Sequence, residues 1–277
     1  MPALPLPPAA RAFDAVAASF DERYGAWRSV DAQRRAVRAV LLRAFPRGAH
    51  VLEIGGGTGE DARWLARHGR TVQLTDASPS MIRVAAAKLR PHTLPAPLVL
   101  PAEGLAQLAE ARQAAGETPF DGAFSNFAAL NCVADLAPVG QALARLVRPG
   151  GQLVLVLFGP CPPGEVVVQL ARREPRAALR RLARGDVPAR LGGREFTVRY
   201  HRPGQVTRAL APWFQPVARR GIGVFVPPSA AEPWISHHPR ILQVMEALDR
   251  VASRPLALLG DHLLFQLERT RVPAEGR

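Results

Sequence analysis

Glu53, the glycines Gly55, Gly57 and Gly59, and Asp76 are the residues whose types and spacing most directly suggest chemistry. Val51-Leu52-Glu53-Ile54 reads as a short apolar strand, and Gly55-Gly56-Gly57-Thr58-Gly59 as the turn that leads it into a helix over about 61–68. Glycines there reach positive φ cheaply and carry no Cβ to keep a ligand off the backbone. The helix start aims free N–H groups into the same space, a corner where doubly wound sheets bind nucleotide-like ligands. The spacing is not the G-x-G-x-x-G of a dinucleotide site, because Glu60-Asp61 stands where the third glycine is expected. Carboxylates there would repel a pyrophosphate, and no Gly-Lys-Ser/Thr follows to cradle phosphates. A ligand without phosphates fits better, and Glu53 suits one that carries an amine. Asp76 closes the next strand-like stretch, Thr71-Val72-Gln73-Leu74-Thr75-Asp76. It lies about 20 residues past the glycines, the distance at which an acid takes ribose hydroxyls. A carboxylate can accept from both vicinal hydroxyls at once. Ser78 and Pro79 then read as the N-cap and first turn of a helix.

With these features the chain resembles the class I S-adenosylmethionine-dependent methyltransferases, in particular the small-molecule group called methyltransferase type 11. The motifs are Val51-Leu52-Glu53-Ile54-Gly55-Gly56-Gly57-Thr58-Gly59, Leu74-Thr75-Asp76-Ala77-Ser78, Leu98-Val99-Leu100-Pro101-Ala102-Glu103, Phe120-Asp121-Gly122-Ala123-Phe124-Ser125-Asn126-Phe127, and Leu146-Val147-Arg148-Pro149-Gly150-Gly151-Gln152-Leu153-Val154. The resemblance spans about residues 49–158 and implies S-adenosyl-L-methionine as cofactor. It puts the backbone of Gly55, Gly57 and Gly59 against the methionine moiety, with Glu53 near its amino group. Asp76 would hold the ribose, with Ala77 beside it, and Met81 would pad the adenine. Ala102 and Glu103 would meet the adenine, and Asn126 and Phe127 would lie under the sulfonium. Pro101 stands where the family commonly has Asp.

Those residues need a frame. Strands are expected near 50–54, 71–74, 97–100, 122–125 and 152–158, with helices between, and such alternation predicts a parallel sheet with crossovers. The expected fold is α/β: a Rossmann-like, seven-stranded, mostly parallel sheet with an antiparallel last strand and helices on both faces. The resemblance implies the antiparallel pairing for stretches near 217–226 and 262–268. Residues 1–48 are expected to form a helical lid, helical from about 13 to 45 with an arginine-rich solvent face. Residues 49–158 are the cofactor-binding core, 159–204 a helical insertion capping the substrate, with an extra strand near 196–201, and 205–277 the rest of the core.

Composition bounds the alternatives. The chain has 277 residues, 48% hydrophobic and 21% charged, which is ordinary globular usage. Cys132 and Cys161 make no disulfide framework, and no zinc-ligand spacing surrounds them, so reduced thiols and a cytoplasmic, metal-free protein are expected. The prolines at 2, 5, 7 and 8 argue against a signal peptide, and no apolar run approaches a membrane span. The formal net charge is +13, nearly all of it arginine, with Lys88 the one lysine. A high-GC genome explains that more simply than nucleic-acid binding, because the densest cluster, from Arg172 to Arg184, has no interleaved aromatics for base stacking. Its functional reading is an electropositive lid over an anionic acceptor.

The acceptor should meet what lies outside the matched span: a small molecule, methylated at O, N or C. Phe20 and Tyr24 fall on one helical face and either line the pocket or dock the helix on the core. Cys161 and Glu165, just past the fifth strand, are further substrate-side candidates. Methyl transfer from a sulfonium needs mainly alignment, and a base only for a hydroxyl or carbon acid. Tyr24, Asn126 and Glu165 are candidate catalytic groups, with Tyr200, His201, His237 and His238 behind them. A monomer or homodimer is expected. An RNA or protein methyltransferase, or a binding protein that keeps the fold without catalysis, are the rival readings.

Overall fold

A computed structural model describes residues 6–271; the expectations that concern residues 1–5 and 272–277 lie outside it. Seven strands form the central sheet: β1 (His50–Ile54), β2 (Thr71–Asp76), β3 (Leu98–Val99), β4 (Phe120–Ser125), β5 (Val147–Phe158), and, after a two-stranded excursion, β8 (Phe214–Ile222) and β9 (His262–Arg269). Their spatial order is β3-β2-β1-β4-β5-β9-β8. The first five pair in parallel, while β9 runs antiparallel to β5 on one side and β8 on the other. The strand that runs against the sheet is thus the last in the chain, wedged between two that run together.

Alternation along the strands divides the core. Leu153, Leu155 and Leu157 of β5 face one side with Leu52, Ile54, Leu263, Phe265 and Leu267. Helices α6 (Leu105–Ala114), α7 (Ala137–Leu146) and α10 (Pro203–Leu210) cover that side. Val154 and Val156 face the other, with Val51, Val72, Leu74 and Phe124. There α3 (Arg28–Ala44), α4 (Glu60–Arg67) and α5 (Pro79–Leu89) close the layer. A strand buried on both faces needs an unbroken apolar run, and Leu153–Leu157 is that run.

The N-terminal stretch is not one helix. It breaks into α1 (Pro8–Asp14), a single turn at Ala17–Ser19, and α2 (Phe20–Gly25) before α3 begins. The insertion after β5 opens with α8 (Pro163–Ala171) and α9 (Pro175–Ala178) and closes with a β-hairpin of β6 (Asp186–Leu191) and β7 (Arg194–Arg199). Residues 186–191 thus pair as a strand, inside an insertion expected to be helical apart from a strand near 196–201. Gly192 and Gly193, with φ of 56° and 76°, make the two-residue turn that joins the pair. A Cβ on Gly192 would come within 2.9 Å of Val16, so the hairpin tip lies directly on the segment after α1. Helix α11 (Pro239–Ala252) packs against α3 and β8. Among the described residues no helix is long and apolar enough to cross a membrane.

Candidate active site

A cavity of about 870 Å³ opens at the carboxyl ends of the parallel strands. Residues just past β1, β2, β3 and β4 line it, together with Phe158 at the end of β5. The strand order reverses between β1 and β4, so this is the crevice where open α/β sheets take ligands. Its volume is near the top of the range for small-molecule sites, room for more than one ligand of modest size.

The glycines of the turn serve different ends. Gly55, Gly57 and Gly59 all have positive φ, which other residues adopt only with strain. A Cβ on Gly55 would strike Ala129 at 2.4 Å, and one on Gly59 would crowd Ala85 and Leu89 of α5. Gly57 alone of the three faces open space, so its bare backbone is what the turn offers to the cavity.

Carboxylates are distributed unevenly around this space. Glu53 is 2% exposed, and among the described residues its Oε2 has no hydrogen-bond partner. Burial first, then the nearby Asp61 charge, pushes its carboxyl well above the ordinary range. Asp76 accepts from the Gly57 N–H at 2.9 Å and the Ser78 N–H at 2.8 Å. Burial still raises its carboxyl against those two amides. Glu103 is exposed at the rim of the adjoining turn. Three cavity carboxylates that bond no cation among the described residues suit a ligand that brings positive charge and hydrogen-bond donors, and the bare Gly57 backbone leaves it room. S-adenosylmethionine fits that description: a sulfonium, an ammonium, ribose hydroxyls and an adenine amino group.

Asp61 is different. It receives Arg34 at 2.9 Å, Arg38 at 2.8 Å and the Asn126 amide at 2.8 Å. Burial alone would raise its carboxyl, but these partners outweigh it and hold it low. Asn126 spends its other end on the Phe127 N–H at 2.8 Å. Both polar ends of Asn126 are therefore engaged within the chain. Phe127 and Ala128 both stand at positive φ, 48° and 62°. Such backbone costs about 1–2 kcal/mol per residue, and here it turns the Phe127 ring into the cavity wall, beneath Arg34 and edge-on to His262. Arg34 and Arg38, one turn apart on α3, thus face the site rather than solvent. Sequence reading assigned α3 an arginine-rich outer face, and nothing local distinguishes these two arginines; only the docking of α3 on α4 does.

Two carboxylates tie the N-terminal helices to the glycine turn and its neighbour. Asp14 accepts from the Ser78 hydroxyl and from the Ser80 N–H at 2.8 Å. Asp21 accepts from Thr58 at 2.6 Å and from Lys88 at 2.5 Å. So held, α1 and α2 place Phe13, Phe20 and Tyr24 over the cavity, with Trp27 after them and Phe196 of β7 completing the wall. The rings form a chain: Phe196 to Phe13 at 6.1 Å, Phe13 to Phe20 at 6.3 Å, Phe20 to Tyr24 at 4.7 Å and Tyr24 to Trp27 at 4.9 Å. Phe20 and Tyr24 line the cavity and also pack on each other.

The structure therefore brings together Glu53, Gly55, Gly57, Asp76, Ala77, Met81, Ala102, Glu103, Asn126, Phe127, Phe20 and Tyr24 around one cavity. It does not bring Gly59, Cys161 or Glu165 there; Gly59 is turned instead against Ala85 and Leu89 of α5. Cys161 is exposed, because the chain turns outward after β5. Glu165 is 3% exposed in an ion cluster with Arg180 and Arg181, and Arg181 in turn lies 2.6 Å from Asp261. That cluster also removes Arg180 and Arg181 from the anion-binding lid expected of the insertion, and none of the arginines from Arg172 to Arg184 lines the cavity. Tyr200, His201, His237 and His238 are likewise absent from the cavity wall. Cys132, read from the sequence only as a reduced thiol, does line it, with burial pushing its thiol up to about 11.

The chain belongs to the class I S-adenosylmethionine-dependent methyltransferases, and S-adenosylmethionine is its cofactor. The methyltransferase domain family matches residues 51–151. A malonyl-[acyl-carrier protein] O-methyltransferase from Halorhodospira halophila is 31% identical over 224 residues, 72% of this chain and 68% of that one. A demethylmenaquinone methyltransferase from Tropheryma whipplei is 30% identical over 141 residues, 50% of this chain and 52% of its own. The CcbJ methyltransferase from Streptomyces caelestis shares the fold at 18% identity, with a TM-score of 0.58 over 94% of this chain and 98% of that one.

Proposed function

We propose that the protein transfers the methyl group of S-adenosylmethionine to a small molecule with a flat, apolar body. The aromatic wall from Phe196 to Trp27, with Phe127 and Phe158 lining the same cavity, carries this reading. Such a wall binds by area and stacking and offers few polar contacts. The two curated relatives are named for different acceptors, malonyl-[acyl-carrier protein] and demethylmenaquinone. The acceptor is then selected by the parts outside the shared core: the N-terminal helices as lid and the insertion, through its hairpin, as cap.

In this reading Asp76 takes the ribose, the Gly57 backbone lies along the methionine chain, and Glu53 receives the ammonium. Met81, Ala77, Ala102 and Glu103 frame the adenine. The cofactor supplies an activated methyl group on a cationic leaving group. This chain's own contribution is alignment and exclusion of water, for which effective molarity supplies most of the acceleration. Tyr24 is the one cavity-lining candidate left for proton transfer, since Asn126 is engaged with Asp61 and Glu165 is turned away.

Calorimetric titration with S-adenosylhomocysteine, with NAD as control, tests the cofactor half. Asp76→Asn keeps one acceptor for the loop amides and should weaken binding by about 1.5–3 kcal/mol, the range for losing a charged hydrogen-bond partner. Unchanged affinity in that variant would remove Asp76 from the ribose. Transfer of labelled methyl into a panel of planar aromatic acceptors then tests the other half; labelling only of RNA or protein would reject the small-molecule reading.

A further inference from the structure

Among the described residues four cationic side chains line the cavity, and three of them are spent. Arg38 gives Nε to Asp61 and Nη2 to the Glu60 carbonyl, Arg63 holds Glu60, and Lys88 is shared among Asp21, Thr58 and Glu60. Arg34 differs. Its Nη1 donates to Asp61 at 2.9 Å, and among the described residues neither Nε nor Nη2 has an acceptor. The side chain keeps 20% of its exposure, on the cavity side of α3.

Its orientation is built rather than incidental. The guanidinium carbon sits 4.6 Å above the Phe127 ring, a favourable cation–π placement. That ring is presented by two consecutive residues at positive φ, and Asp61 holds Nη1 of the guanidinium. Strained backbone of this kind persists where the surroundings over-determine it, and it clusters at ligand sites. A guanidinium stays charged at any working pH and offers a rigid fork matched to a carboxylate. Arg34 lines a cavity that Glu53, Asp76 and Glu103 also line.

We propose that Arg34 is the anion-binding arm of this cavity, taking a carboxylate or similar oxyanion of a bound ligand on Nε and Nη2. The proposal rests on the cavity being where cofactor and acceptor meet. Two ligands can bring the oxyanion: the amino-acid end of the cofactor, or an acidic group on a flat aromatic acceptor. In the first case Glu53 and Arg34 together read the zwitterion; in the second Arg34 selects the acceptor.

Two pairs of probes separate these sources. S-adenosylhomocysteine carries the amino-acid end and methylthioadenosine lacks it. Anilinonaphthalene sulfonate is a flat aromatic anion, and phenylnaphthylamine is its uncharged counterpart. Arg34→Gln should weaken one charged probe by about tenfold or more, the effect of losing a charge-assisted pair, and leave its uncharged partner unchanged. Arg34→Lys should restore part of the loss. A selective loss of S-adenosylhomocysteine assigns the arm to the cofactor, and a selective loss of the sulfonate assigns it to the acceptor. Unchanged affinity for all four, or an equal fall in all four from a disturbed Asp61, overturns the proposal. Methylthioadenosine binding to the unaltered protein tests the cavity separately, so failure of the cofactor reading cannot be mistaken for failure of Arg34.

Discussion

Glu53 and Asp61 show how position decides the behaviour of a carboxylate. Both are buried, at 2% and 3% exposure, yet one is pushed up and the other held down, because Asp61 faces two arginines and an amide while Glu53 has an oxygen facing no donor. The folded protein without ligand holds the Glu53 proton at pH values where the unfolded chain has lost it. Stability from this group is thus present below the unfolded value of about 4.3 and is lost as pH rises through the raised folded value. Glu53→Gln should therefore melt higher than the unaltered protein at pH 8 without ligand, and the gap should close as pH falls toward about 4.3. It should also bind S-adenosylhomocysteine more weakly. A variant that melts lower at both pH values would show Glu53 ionised and paired.

Among the elements, the strap of α1 and α2 depends on Asp14 and Asp21. For both, burial raises the carboxyl, but serine donors at Asp14, and Lys88 and Thr58 at Asp21, outweigh it and hold it low. Their contribution is present above the unfolded value of about 3.9 and is lost below it. Asp21 is 45% exposed, so its pair with Lys88 contributes at most about 1 kcal/mol. The double variant Asp14→Ala, Asp21→Ala should leave the melting temperature nearly in place while limited proteolysis cuts faster within residues 8–27. Resistance equal to that of the unaltered protein would mean that the aromatic chain alone holds the strap. The hairpin packed against it was legible in part: a Gly-Gly pair between two stretches that can extend is a two-residue turn signal. Pro188 and the surrounding arginines obscured it, since proline suits only an exposed strand edge.

Across the whole molecule the insertion is anchored through charge. Arg181 is 8% exposed, and its Nη2 lies 2.5 Å from Glu165 and 2.6 Å from Asp261. Its Nη1 reaches the Gly159 carbonyl at 3.1 Å, and Gln33 of α3 reaches Asp261 at 3.3 Å. Removing one partner of a buried ion cluster leaves its carboxylates uncompensated. Arg181→Ala should cost about 3–5 kcal/mol, and the exposed Arg184→Ala within about 0.5 kcal/mol, as read from denaturant melts. Equal effects would contradict the anchoring role. Neutralising this cluster therefore tests stability and not, as the charge run alone suggested, acceptor affinity.

The sequence by itself determined the fold class and the cofactor. Positive-φ glycines, an acid at the end of β1 and another at the end of β2 are local requirements, met by residues within about 25 positions of one another, and strand periodicity sets them at one sheet edge. Tertiary structure alone decided the cationic and aromatic wall of the cavity. Arg34, Asp61 and Phe127 meet only because α3 docks against α4 and β4, and Phe13 meets Phe196 across most of the core domain. Cys161 and Glu165, adjacent to β5 in sequence, are carried away from the cavity by the turn that follows it. Pairings over such separations depend on packing and buried charge, which leave no periodic trace along the chain.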